Sequence, residues 1–174
     1  MINVTTGYIM NPEQYKKLGI ELATQGHIVF NASGQSEISD KLIKGTPITD
    51  EEKKRYLILS CVAAELFLKA AFIKKGYLIF KINPLVKITS LKAFKKSWNM
   101  DRTIDVHVMV ENLNVIFREN TGKSKIEKYR KVLQKMIDSR NKEVHYTGVG
   151  TFKNTFNEHM RTLDVLIGLM SKAV

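Results

Sequence analysis

The stretch Leu57-Ile58-Leu59-Ser60-Cys61-Val62-Ala63-Ala64-Glu65-Leu66-Phe67-Leu68-Lys69-Ala70-Ala71-Phe72-Ile73 decides the fold class. Its only polar or soft side chains are Ser60, Cys61, Glu65 and Lys69. Cys61, Glu65 and Lys69 are four apart, so on a helix they form one narrow stripe on an otherwise apolar cylinder. A helix of that kind needs neighbours on nearly every side, which predicts the central member of a bundle. In front of it, Thr49-Asp50-Glu51-Glu52 is a capping box, in which the threonine hydroxyl and the glutamate carboxylate each satisfy an unpaired donor of the first turn. Gly76 ends the helix.

Helical periodicity extends outward on both sides. Pro12 suits a first helical position, and Tyr15, Leu18, Leu22 and Val29 recur at helical spacing to about Phe30. Asn31 to Pro47 is rich in Ser, Gly, Asp and Thr and reads as a loop. Residues 77–100, with Ile79, Phe80, Ile82, Leu85, Val86 and Ile88 around Pro84, read as an insertion between helices. From about Ile104, one stripe runs through Val106, Met109, Val110, Leu113, Ile116 and Phe117. A second runs through Ile126, Tyr129, Leu133, Met136 and Ile137. After Gly148-Val149-Gly150, a third runs through Phe152, Phe156, Met160, Leu163, Ile167 and Met170. There is no βαβ alternation, internal repeat or low-complexity tract. The expectation is an all-α bundle of about five helices. It forms a single domain over 1–174: an N-terminal helix and loop at 1–48, and a bundle core at 49–174 interrupted by the insertion.

Composition bounds the function. The 174 residues are 44% hydrophobic, which argues against wholesale disorder. A single cysteine excludes an internal disulfide framework and a multi-cysteine zinc site, and fits a reducing compartment. No run of about 18 uncharged apolar residues is present. The start, Met1-Ile2-Asn3-Val4-Thr5, lacks the basic and apolar regions of a signal peptide. A soluble, cytoplasmic protein is expected.

The net charge is +11, from 28 basic and 17 acidic residues, and the excess is clustered. Lys74 to Met100 holds seven lysines and no acid, and Arg118 to Lys135 holds seven basic residues against Glu119 and Glu127. A solvated surface is the common reason for such clusters. Interleaved aromatic residues (Tyr77, Phe80, Phe94, Trp98, Tyr129) also suit base stacking beside phosphate contacts. Lys92, Lys95 and Lys96 are the expected RNA-binding residues. A membrane surface is less well served, because the lysines do not line one face of an amphipathic helix.

The chemical inventory is short. There is no Gly-rich phosphate loop, no nucleophile elbow and no metal-spaced histidine pair; His27, His107, His145 and His159 are far apart. No metal or other cofactor is implied. What stands out is Asp138-Ser139-Arg140-Asn141-Lys142-Glu143-Val144-His145. The stripe through Met136 and Ile137 continues to 140, 141 and 144, so Arg140 and Asn141 stand where a core residue is expected. An arginine at the end of a core stripe must be paired or face a cleft, because burying it alone costs too much. His145 lies one turn beyond Asn141. Arg140 and His145 are five apart, about 140° around an ideal helix, and converge only if the helix loosens near His145. The plain alternative is an arginine capping nearby carbonyls and an exposed C-terminal histidine.

An arginine, then a polar residue, then a histidine four to six positions after the arginine, ahead of the last helix of a small bundle, resembles the HEPN superfamily. The central helix Val62-Ala63-Ala64-Glu65-Leu66-Phe67-Leu68-Lys69 is similar to that family's apolar helix, and His107 followed by Leu113 is similar to the start of its next helix. The resemblance covers roughly residues 50–172. A second match, Arg102 to His107, sits at a helix start and lacks the polar residue after the arginine.

The resemblance implies a metal-independent endoribonuclease of the toxin–antitoxin or phage-defence kind, working as a two-fold homodimer with RNA as substrate and an antitoxin as a partner. Carried over, Arg140 stabilises phosphate charge and His145 moves protons. Asn141 orients the histidine or the phosphate, and Glu65 anchors Arg140 or His145. An ion pair of Glu65 with Lys69 is the equally weighted alternative. His107 reads as a helix-start or packing histidine, His27 and His159 as structural, and Cys61 as a small buried residue. The competing function is a non-catalytic helical module that binds RNA or a protein partner through its basic region.

Overall fold

A computed structural model describes residues 12–77, 79, 105–117, 121–145 and 156–174, except for the side chains of 142–145 and 156–157. Its helices are α1 (Pro12–Ala32), α2 (Gln35–Lys44), α3 (Asp50–Lys74), α4 (Val106–Glu111), α5 (Lys123–His145) and α6 (Phe156–Ala173), with a 3-10 turn at Leu113–Val115. Five of these have ten or more residues, and no strand occurs among the described residues. The protein is all-α.

α3 is the axis, packed by α1, α5 and α6. Tyr56, Leu57, Ala63, Ala64, Phe67, Leu68 and Ala70 to Ile73 are all buried, around most of the helix, while the face bearing Val62, Glu65, Leu66 and Lys69 is not fully covered. Both halves of the capping box form: Glu52 N donates to Thr49 Oγ1 at 3.2 Å, and Thr49 N donates to Glu52 Oε2 at 2.8 Å. At the other end Gly76 takes φ +81, and the Tyr77 N–H reaches back to the Phe72 carbonyl at 2.9 Å, closing a Schellman turn that needs a residue without Cβ strain. By length and composition α3 would also suit a membrane span, but 67% of its most apolar window is buried inside the protein.

α1 runs antiparallel to α3, with Gly19 against Ile73 and Gly26 against Phe67. Its buried residues are Tyr15, Gly19, Ala23, Gly26 and Phe30, while the expected Leu18, Leu22 and Val29 are partly buried. Small residues therefore make the seam. A Cβ on Gly26 would stand 2.6 Å from Phe67 Cε1, which fixes how closely the two backbones approach. The Tyr15 hydroxyl donates to the Tyr77 carbonyl at 2.9 Å and accepts from Ile79 N at 2.8 Å, fastening the chain just past α3.

The loop expected over Asn31 to Pro47 is corrected: Gln35–Lys44 is helical. Gly34 (φ 78) and Gly45 (φ 66) bracket it in left-handed conformation, so the glycines that read as loop are helix boundaries. Only Ile38 of α2 is buried. The rest is held by polar ties: Arg55 Nη2 to Glu37 at 3.0 Å, Lys41 to Glu52, and Ser39 Oγ to His159 Nε2 at 3.0 Å.

Of the stripe from Val106 to Phe117, Met109, Val110, Leu113, Ile116 and Phe117 are buried and Val106 partly so, and it is carried by the short α4 and the 3-10 turn and not by one helix. On α5 the stripe Ile126, Tyr129, Leu133, Met136 and Ile137 is buried throughout. On α6 the face is rotated from the expected one. Met160 and Ile167 are 48% and 52% exposed, while His159 and Thr162 are buried beside Leu163. Tracing the largest apolar side chains misplaced that face, because Thr162 and the Nε2 of His159 are hydrogen-bonded and so tolerate burial, while His159 Nδ1 has no partner among the described residues. The insertion assigned to 77–100, apart from Tyr77 and Ile79, lies outside the described residues.

Candidate functional site

α5 and α6 run in opposite directions on the flank of α3, with Tyr129 facing Asp164 and Lys135 paired to Glu158. This brings the last turns of α5 against the middle of α3. Arg140 lands there. Its Nη2 is 4.0 Å from Glu65 Oε2, and its side chain is 27% exposed. The other Glu65 oxygen, Oε1, takes Lys69 Nζ at 2.7 Å. Both partners weighed for Glu65 are thus present at once, and one carboxylate lies between two cations. Cys61, one turn earlier on α3, is buried, and burial pushes its thiol above the usual range while the neighbouring Arg140 guanidinium opposes that rise.

The Cys61-Glu65-Lys69 stripe is therefore the surface that receives Arg140. Sequence reasoning singled out Glu65; Lys69 and Cys61 belong with it, and their four-residue spacing was the signal. Arg140 Nε is buried and makes no hydrogen bond among the described residues. Two cations around one carboxylate leave a local excess of positive charge, and a guanidinium has five donors in a planar fork. Such an arrangement favours an arriving phosphate oxygen.

Asn141 is partly buried next to Arg140. The helix continues to His145, its last residue. The loosening that would bring Arg140 and His145 together does not occur within α5, since the backbone remains α-helical through position 145. The His145 side chain lies outside the described residues. So do Lys92, Lys95 and Lys96.

The second basic stretch is partly neutralised. Lys128 pairs with Asp164 at 3.2 Å, Lys135 with Glu158, and Arg130 with Glu127. Arg130 also donates to the carbonyls of Val110 (3.4 Å) and Glu111 (3.2 Å), closing the end of α4. A polar groove of about 620 Å³ lies between α4 and α5, lined by Arg130, Lys131, Gln134, Asp138 and Ser139, and it ends beside Arg140 in sequence. At its edge His107 stands at the start of α4, with Nδ1 3.2 Å from the Gln134 side-chain amide.

A buried polar cluster was not foreseen. The His159 ring, with no exposure, lies 4.9 Å from the Tyr56 ring, and Ser60 is equally buried one turn along α3. Burial pulls His159 below the ordinary imidazole value. No group of three or more His, Cys, Asp and Glu placed to hold a metal ion occurs among the described residues.

Comparison with protein-family models, curated proteins and solved structures gave no match.

Proposed function

We propose that the chain is a HEPN-type, metal-independent endoribonuclease, acting in the cytoplasm as a toxin or phage-defence effector. The observation that carries the reading is Arg140. A guanidinium stands at the end of an otherwise apolar helical stripe, mostly buried, and shares Glu65 with Lys69. Phosphate recognition accounts for an arginine at this position.

In this reading Arg140 stabilises the charge that builds on the scissile phosphate, and Glu65 positions Arg140. The His145 imidazole takes the proton of a ribose 2′-OH, whose oxygen attacks the adjacent phosphorus. The bond to the leaving 5′-oxygen breaks, that oxygen is protonated, and a 2′,3′-cyclic phosphate remains. Within one α5, Arg140 and His145 stand about 140° apart around the helix, and one histidine does not serve as base and acid in the same step. A two-fold homodimer is therefore required, in which a second copy of the motif completes the site. Asn141 orients the histidine or the phosphate. Lys92, Lys95 and Lys96 bind RNA, and Lys131 beside the α4–α5 groove is a further basic contact. An antitoxin is the expected restraining partner.

The test is incubation with total RNA, with and without chelator. The wild type should cut under both conditions and leave cyclic phosphate ends, and Arg140→Ala and His145→Ala should each abolish cutting. Cleavage retained by His145→Ala overturns the assignment.

One observation favours a second reading, a non-catalytic module binding RNA or a protein partner. The Glu65 contact also suits an arginine that only joins α5 to α3. Under that reading the Lys92, Lys95 and Lys96 triple alanine variant loses RNA binding with a reduced salt dependence, while Arg140→Ala does not.

A further inference from the structure

The C-terminal ends of α3 and α6 and one flank of α1 enclose a groove of about 530 Å³. Its floor is made by Gly19 and Ala23 of α1 with Ala70 of α3 and Ala173 of α6. These are small residues, with Ile73 packed against Gly19, and the space between the three helices stays partly open. Ile20, 68% exposed, forms a wall with Thr24. The volume falls in the usual range for small-molecule sites, about 300–1,000 Å³ with mainly apolar walls and a few placed polar groups.

The side-chain charge lining this groove comes from two lysines. Lys16, Lys74 and His27 line it, and no Asp or Glu side chain does. The packing register sorts them. Gly19 meets Ile73, so Lys16, one turn before Gly19, and Lys74, next to Ile73, stand at the same mouth. His27 stands at the far end, its ring edge-on to Phe67 at 5.3 Å. Lys74 donates to the main-chain oxygen of Val174, but an ammonium has three donors.

An apolar trough with two ammonium groups at one mouth matches a particular ligand shape. We propose that the groove binds a single-chain anionic amphiphile, a long-chain carboxylate. Its head sits between Lys16 and Lys74, and its alkyl tail lies over Gly19 and Ala23 towards His27. Lys16 and His27 are eleven residues apart, about 16 Å along the helix axis. An extended chain built from bonds of about 1.5 Å gains about 1.25 Å per carbon, so roughly twelve carbons span the groove.

Isothermal titration with octanoate, decanoate, dodecanoate and tetradecanoate, each below its micelle concentration, tests this. One site should appear, with affinity rising about fourfold per added methylene and levelling off once the chain exceeds the groove. Dodecyltrimethylammonium should bind far more weakly. Lys16→Gln with Lys74→Gln should weaken dodecanoate by up to about tenfold in combination. Thr24→Trp, a substitution at an exposed helical position that fills the groove, should abolish binding with unchanged circular dichroism.

The proposal is overturned if no chain length binds saturably, if the cationic amphiphile binds equally well, or if Thr24→Trp leaves binding unchanged. Binding confined to anionic vesicles would identify a membrane surface instead. A concentration-dependent doubling of mass that Thr24→Trp abolishes would identify a second copy of the chain. Each of those two results also overturns it.

Discussion

Replacing Gly26 by alanine tests the seam that sets the whole bundle. The new Cβ would stand 2.6 Å from Phe67 Cε1 and 2.8 Å from Cδ1, against about 3.5–4.0 Å for a comfortable carbon contact. The ring or the helix must therefore give by about 1 Å. Phe67 has no exposure and is flanked by the His27 ring, so it has no solvent to swing into. Overpacking of this kind costs about 1–3 kcal/mol. Alanine recovers about 0.8–1.0 kcal/mol over glycine inside a helix. The balance is a net loss of about 1 kcal/mol, or roughly 2–4 °C in Tm for a chain of this size. Urea unfolding should show a lower midpoint with an unchanged m-value. Gly122→Ala, where nothing lies within 4 Å of the added carbon, should be neutral or slightly stabilising. In a double-mutant cycle, Phe67→Leu should relieve part of the Gly26→Ala cost, with a coupling of at least about 0.5 kcal/mol. A Gly26→Ala protein as stable as the wild type, or strict additivity with Phe67→Leu, refutes the close-approach argument.

Three further expectations follow from the site and its surroundings. Glu65→Gln leaves Arg140 and Lys69 facing each other without a counter-charge, and should cost about 1–2 kcal/mol, between exposed and fully buried pairs; an unchanged urea midpoint would show that the carboxylate holds neither cation. Cys61 should resist thiol reagents at neutral pH in the folded protein and react on adding denaturant, because burial both shields the thiol and raises its pKa; rapid native-state labelling contradicts its placement. Stability should fall as the pH drops below about 6.5, because the unfolded chain then binds a proton that buried His159 refuses. That loss should stop once the pH passes below the depressed folded value, and His159→Gln should flatten this part of the pH profile; identical profiles for both proteins would refute it.

The elements legible in the sequence are those where one physical signal acts alone. α3 announced itself by composition and by paired stop signals, and the α5 stripe by unbroken 3.6-residue periodicity. What stayed hidden depended on partners. α2 has one buried residue and holds its place through side chains of α3 and α6, so its own ten residues carry little sign of it. The α1 seam uses Gly19, Ala23 and Gly26, which look like weak helix positions until a phenylalanine is placed opposite. The α6 face contains a histidine and a threonine whose burial makes sense only with Ser39 and the helix backbone in view. At the candidate site, position 140 was marked as inward from periodicity, and Glu65 was marked by its stripe. That the two meet depends on where α5 packs against α3, which no local pattern records.

The construction of α2 has a bearing on how protons reach the interior. Because one apolar residue and a few polar ties hold it, α2 belongs to the low-energy end of local opening, well below the free energy of unfolding the bundle. Its ion pairs with Arg55 and Glu52 weaken as salt rises. Ser39 sits on His159 Nε2, so lifting α2 uncovers that nitrogen. Hydration of His159 is then expected to follow the opening of α2, so that acid and ionic strength act on the same segment between Gly34 and Gly45. Proton uptake by this buried ring should be slower than by any exposed histidine, and should quicken with added salt while the rest of the bundle stays closed.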